Sequence, residues 1–130
     1  MNKKNKIKIM IIDDDPMSLE SLKSFLVSEG YHVSAFNDSF TAWDALKTNK
    51  YNVVASDYML KEANGLEFLH RIKTIYKNTF TILFTGFSSV ELLNKLSIFN
   101  IDLFLTKPIE IHELIEVFNK VQKSKSVEFG

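Results

Sequence analysis

Short apolar runs alternate with helix-spaced apolar stripes along the whole chain, and this alternation restricts the fold more than any other feature. Ile7, Ile9, Met10, Ile11 and Ile12 form a largely β-branched run suited to a strand buried on both faces. Asp15-Pro16 reads as a helix cap followed by proline in the first turn. Leu19, Leu22, Phe25 and Leu26 recur at helical spacing, and Gly30 is a natural stop. The cycle then repeats. Val33 to Phe36 predicts a strand, and Asp38 or Ser39 a cap for a helix burying Phe40, Trp43 and Leu46. Val53, Val54 and Ala55 run straight into Asp57, and Leu66, Leu69, Ile72 and Ile75 share a helical face. Phe80 to Phe84 and Ile101 to Leu105 are further strands. Between and after them come helices carrying Val90, Leu93 and Leu96, then Leu114, Ile115, Phe118 and Val121.

Strict alternation of this kind implies right-handed crossovers and a parallel sheet covered on both faces, hence an α/β fold. About five strands fit, which favours a small open doubly wound sheet over an eight-stranded barrel. At 130 residues the chain reads as one domain over residues 1–123, with 124–130 a frayed tail or the start of a linker.

Composition removes several functions. The absence of cysteine excludes thiol catalysis and thiolate metal sites. Lys+Arg 16 balance Asp+Glu 16, and Arg71 is the one arginine, so a duplex-binding surface is not expected. No stretch approaches the ~20 apolar residues of a membrane span. A soluble, cytoplasmic protein is therefore expected, with no direct contact to nucleic acid or membrane.

In open parallel sheets, sites form beyond the carboxyl ends of the strands. Here those ends carry Asp13-Asp14-Asp15, Asp57, Thr85-Gly86 and Thr106-Lys107-Pro108. Clustered carboxylates repel one another unless a cation intervenes. A hard Mg²⁺ held by one or two carboxylates, a carbonyl and water suits such a cluster. A lysine and a threonine hydroxyl in the same crevice can meet the oxygens of a phosphoryl group. The combination points to an aspartate nucleophile assisted by a metal and a lysine.

With these residues in place, the chain resembles the response-regulator receiver domains of two-component signalling, of the chemotaxis-regulator type. The resemblance runs from about Lys6 to Lys123. It is carried by Ile11-Ile12-Asp13-Asp14-Asp15-Pro16, Val53-Val54-Ala55-Ser56-Asp57 with Gly65 downstream, Leu83-Phe84-Thr85-Gly86 and Phe104-Leu105-Thr106-Lys107-Pro108. It implies a flavodoxin-like five-stranded sheet in the order 2-1-3-4-5, with helices on both faces.

The resemblance also implies roles. Asp57 is the phosphoacceptor, and Asp14, Asp57 and the backbone carbonyl of Met59 bind Mg²⁺, with Asp13 acting largely through water. Asp15 caps the first helix. Lys107 pairs with the phosphoryl group, Thr85 moves towards it, Phe104 is the aromatic switch, and Lys107-Pro108 is a cis peptide. The phosphodonor is a histidine kinase or phosphotransfer protein; the reader is a downstream protein or output domain, with a phosphorylation-dependent homodimer as one form of output. Such a protein is not an enzyme beyond its own phosphorylation and dephosphorylation. Lys61 stands where many members have proline, and Asn100 where glycine is frequent.

Phe87 reads either as lying over the phosphoryl group, where it would hinder attacking water, or as a partly exposed loop aromatic, and Phe104, lacking a hydroxyl, is expected to favour an inward rotamer. His32, His70 and His112 show no metal spacing and read as surface residues. Trp43 reads as a packing residue, and Leu92, Lys95 and Leu103 as ordinary packing or part of an output surface. Two other functions compete. A haloacid-dehalogenase-like phosphatase shares the aspartyl chemistry, but Met17 stands where a small β-branched residue is usual and no acidic pair follows the last strands. A receiver-like module that is never phosphorylated is the other. A flavin or dinucleotide site is disfavoured because Asp13-Asp14-Asp15 replaces a glycine-rich loop.

Overall fold

The computed structural model describes residues 7–86 and 89–129, with side chains as far as Ser124. Five strands and five helices alternate: β1 (Lys8–Ile12), α1 (Pro16–Ser28), β2 (His32–Phe36), α2 (Ser39–Thr48), β3 (Val53–Asp57), α3 (Gly65–Ile75), β4 (Phe80–Thr85), α4 (Val90–Ile98), β5 (Leu103–Thr106) and α5 (Ile111–Phe129). All strand pairings are parallel, in the order β2-β1-β3-β4-β5. This is the flavodoxin-like doubly wound sheet expected from the sequence.

Because successive strand residues face opposite sides, each apolar strand feeds two cores. Met10, Ile12, Val54 and Leu83 point into one, beneath Leu46 of α2, Leu69 and Ile72 of α3, and Leu92 and Leu96 of α4. Ile9, Ile11, Val53, Ala55, Ile82 and Phe84 point into the other, beneath Leu19 and Leu26 of α1 and Leu114 and Phe118 of α5. Continuous apolar runs are therefore needed in the central strands, since neither face meets water.

The helix phases depart from expectation at three places. In α2 the inward residues are Ser39, Ala42 and Leu46, while Phe40 is 71% exposed. In α4 the inward pair is Leu92 and Leu96; Val90 and Leu93 face outward, so Leu92 belongs to the core rather than to an output surface. In α3, Ile75 is exposed while Phe68 is buried. α4 carries apolar residues on both faces, so helical spacing alone does not choose which stripe turns inward.

The C-terminal helix also runs further than expected, with α5 continuing past Lys123 to Phe129. No glycine or proline interrupts the sequence between Ile111 and Phe129. Contrary to a surface placement, His70 is partly buried, its Nδ1 lying 2.8 Å from the Phe99 carbonyl and its ring edge-on to Phe99. Asn100 leaves α4 with φ 61°, a left-handed conformation that asparagine tolerates. At the opposite end of the sheet from the strand carboxyl ends, Asp102 accepts from Lys73 Nζ at 2.7 Å and from the Thr81 N–H and hydroxyl, joining α3, β4 and β5. No described helix is long and apolar enough to cross a membrane.

Candidate functional site

Strand register gathers the site. Ile12 pairs with Ser56, so Asp13 and Asp57 emerge from adjacent strand ends. Asp57 pairs with Phe84, and Thr85 with Thr106, which places Thr85 and Lys107 on the same edge. Parallel pairing alone thus brings together residues far apart in sequence.

The side chains converge accordingly. Asp13, Asp14 and Asp57 each offer a carboxylate oxygen within 4.8 Å of the others. Lys107 Nζ stands 2.7 Å from Asp57 Oδ1 and 4.0 Å from Asp13 Oδ2. Three carboxylates facing one ammonium leave two negative charges over, which suits a divalent cation. Mg²⁺ binds oxygens at about 2.0–2.1 Å, so oxygens on one ion stand no more than about 4.2 Å apart, and a cluster within 4.8 Å is on the scale of such a site. Hard oxygen donors favour that class of ion over softer metals.

Electrostatics fit this picture. Burial raises the pKa of the Asp13 carboxyl above its ordinary value. The Asp57 and Asp14 charges add to this, against the Asp15 N–H that it accepts at 3.0 Å and the Lys107 charge. Burial alone would lower the Lys107 ammonium, but its hydrogen bond to Asp57 and the charges of Asp57, Asp13 and Asp14 outweigh that and raise it. Asp15 stands outside the cluster. It caps α1, accepting the Ser18 hydroxyl at 2.9 Å and the Met17 N–H at 3.2 Å, and these bonds lower its pKa.

The loop from β3 to α3 is tightly folded. The Leu60 N–H donates to Ala63 at 3.1 Å, Met59 bridges Asn64, and the Gly65 N–H donates to the Tyr58 carbonyl at 2.7 Å. Met59 lies two residues beyond Asp57, its side chain exposed. Gly65 has a specific reason to be glycine: a Cβ there would overlap the Asp57 carbonyl oxygen and come within 2.9 Å of Ser56 Oγ. Ser56 in turn donates to that same carbonyl at 2.9 Å.

Thr85 is buried, and its carbonyl accepts the Lys107 N–H at 2.7 Å. Phe104 pairs with Leu83, two residues before Thr85, so Phe104 and Thr85 share a sheet face as diagonal neighbours. Phe104 is partly buried against the core formed with α2, α3 and α4. The Lys107-Pro108 bond is cis. Phe87 lies outside the described residues. A groove of about 610 Å³, lined by Asp13, Met17, Leu22, Phe84, Lys107 and Pro108 among others, opens beside the carboxylates.

Two contributors were not legible in the sequence. Ser56 is a polar residue inside an apolar strand, which is a signal, though one that does not say what it bonds. Glu62, at the tip of the β3–α3 loop, accepts the Ser39 N–H of α2 at 2.5 Å, and no spacing rule connects those two positions.

Comparison with known proteins gives a consistent result. The profile described as "Response regulator receiver domain" matches residues 9–119. The transcriptional regulatory protein FixJ of Bradyrhizobium diazoefficiens is 33% identical over 103 residues, covering 78% of this chain and 50% of FixJ. The response regulator receiver protein CpdR of Brucella abortus is 25% identical, covering 88% of this chain and 95% of CpdR. The structure of the Francisella response regulator 1452 receiver domain superposes with a TM-score of 0.83 at 28% identity, covering 92% of this chain and 98% of that one. The chain spans about half the length of most of the transcriptional regulators it matches.

Proposed function

This chain belongs to the response regulator receiver-domain family, and from that membership we propose that it is a phosphoacceptor switch in a two-component relay, taking a phosphoryl group onto Asp57. The observation that carries this reading is the 2.7 Å pairing of Lys107 with Asp57 beside the Asp13 and Asp14 carboxylates.

The donor is a phosphohistidine on a histidine kinase or phosphotransfer protein. A carboxylate oxygen of Asp57 attacks phosphorus in line, the phosphorus–nitrogen bond breaks, and the histidine leaves with the bonding pair. Asp14, Asp57 and the Met59 carbonyl would hold Mg²⁺, with Asp13 acting through water, and the ion would supply charge stabilisation at the transferring oxygens. Lys107 exchanges its Asp57 contact for a phosphoryl oxygen. Thr85 donates its hydroxyl to another, and Phe104 fills the space beside it. The face formed by α4, β5 and α5 then changes its preferred arrangement, by as much as the phosphoryl group discriminates between the two states. A downstream protein, an output domain or a second copy of the chain reads that face. This chemistry belongs in the cytoplasm, where such kinases present their phosphohistidine.

Family membership leaves the phosphatase alternative without support, and the chain's own turnover is limited to its phosphorylation and dephosphorylation. The non-phosphorylated module remains the contrasting case. Incubation with a small phosphodonor and Mg²⁺ is expected to add one phosphate by intact mass, and Asp57→Asn to abolish it. Wild-type protein that stays unmodified across several donors would sink the phosphoacceptor reading in favour of the module.

A further inference from the structure

Two structural units meet at Glu62. It lies three residues beyond Met59, at the tip of the loop whose carbonyl faces the carboxylate cluster in the reading above. The loop's described backbone bonds fold it onto itself, onto the start of α3, or onto Phe84 at its root. Glu62 instead reaches across to α2, where its Oε2 accepts the Ser39 N–H at 2.5 Å. Ser39 is the first residue of α2 and is itself buried. Its N–H is one of the orphan donors of a helix start. Asp38 already caps the helix through Thr41, at 2.8 Å, so α2 does not depend on Glu62 for its cap.

We propose that Glu62 is a positioning residue for the metal-binding loop, pinning the loop tip to the α2 N-terminus so that the Met59 carbonyl is held towards the Asp13–Asp14–Asp57 cluster. The physical basis is preorganisation. A loop free to sample other orientations must be ordered when the ion binds, and that cost appears directly as lost affinity. Partners that orient metal ligands commonly change affinity without touching the ion. The Ser39 N–H and hydroxyl also hold the Glu62 carboxyl below its ordinary pKa, so the charged acceptor persists at neutral pH.

The inference rests on the phosphoacceptor reading, and calorimetric titration with MgCl₂ tests the two separately. Wild type is expected to bind Mg²⁺. Glu62→Ala should weaken binding about three- to tenfold, the size expected for losing one part-buried hydrogen bond. Glu62→Gln keeps an acceptor oxygen and should retain most of the affinity. Ser39→Pro removes the donor while placing proline at the first helical position, where it is favoured. It should match Glu62→Ala, and the double variant should be no worse than either single one. Melting temperatures should stay close to wild type throughout.

Equal affinity in wild type and Glu62→Ala overturns the positioning role while leaving the phosphoacceptor reading intact. An equal loss in Glu62→Gln, or additive losses in the double variant, overturns it too, because simple charge removal would then be the cause. Should Ser39→Pro fold poorly, the Ala and Gln variants decide alone. Wild-type protein that binds no Mg²⁺ overturns the metal assignment and the positioning role together.

Discussion

Gly65 lies so close against the Asp57 carbonyl that no side chain can stand there. Two loop ends meet at this point: the strand delivering Asp57, and the helix start to which the β3–α3 loop returns.

Gly65→Ala should therefore destabilise the protein by about 1–3 kcal/mol, the range for overpacking a closed site. The obstacle is strand backbone, which cannot swing aside as a flexible side chain could. Urea denaturation checks this, and an unchanged midpoint would show that the strand backbone yields there at no cost. The variant should also accept phosphate more slowly, since any shift moves Met59 relative to Asp57.

Lys107→Ala should slow phosphorylation of Asp57 by on the order of 10²-fold, the usual scale for removing one preorganised charge from a reacting centre. Quenched samples resolved by mass give the rate. A rate within twofold of wild type would mean that the 2.7 Å contact with Asp57 is a resting ion pair only.

Asp13 makes the folded protein pH-sensitive in a definite direction. Its folded pKa is raised, chiefly by burial, so in the interval above the ordinary value the folded state holds a proton that the unfolded state has released. Stability from this group falls as pH climbs through that interval. At neutral pH without Mg²⁺, Asp13→Asn should melt higher than wild type, and the gap should close below about pH 4, where both side chains are neutral. Saturating Mg²⁺ should shrink or reverse the gap, because a ligand bound only by the folded state stabilises it. Melting curves with and without Mg²⁺ across pH check the sign.

Asp102→Ala separates architecture from chemistry. Its carboxylate meets a largely buried lysine and two Thr81 donors. Loss of one partner from such a group should cost roughly 2–4 kcal/mol. Phosphorylation should continue at a near-normal rate in the folded fraction, which stability and kinetic measurements on one preparation would establish.

The sheet and the site's main residues were legible for a simple reason. Central strands buried on both faces must be continuously apolar, so polar residues such as Asp13, Asp57 and Lys107 mark where each strand ends. Parallel pairing then aligns those ends. Helix phase was harder to read. Val90, Leu92, Leu93, Leu96 and Ile98 offer α4 two apolar stripes, and the choice depends on neighbouring elements. Phe40 misled because an aromatic side chain suggests burial, yet it lies just outside the stripe of Ser39, Ala42 and Leu46. The Glu62–Ser39 and His70–Phe99 contacts join separate crossover units, and local pattern says nothing about them.

The division of the core by the sheet has an operational consequence. The groove beside Asp13, with Met17, Leu22 and Pro108, opens on the side of α1 and α5, whereas Thr85 and Phe104 face the side of α4. The carboxylate groove and the Thr85–Phe104 pair thus lie on opposite sides of one wall. Whatever covers the groove leaves the Phe104 side of the sheet open, so the two sides can be blocked one at a time.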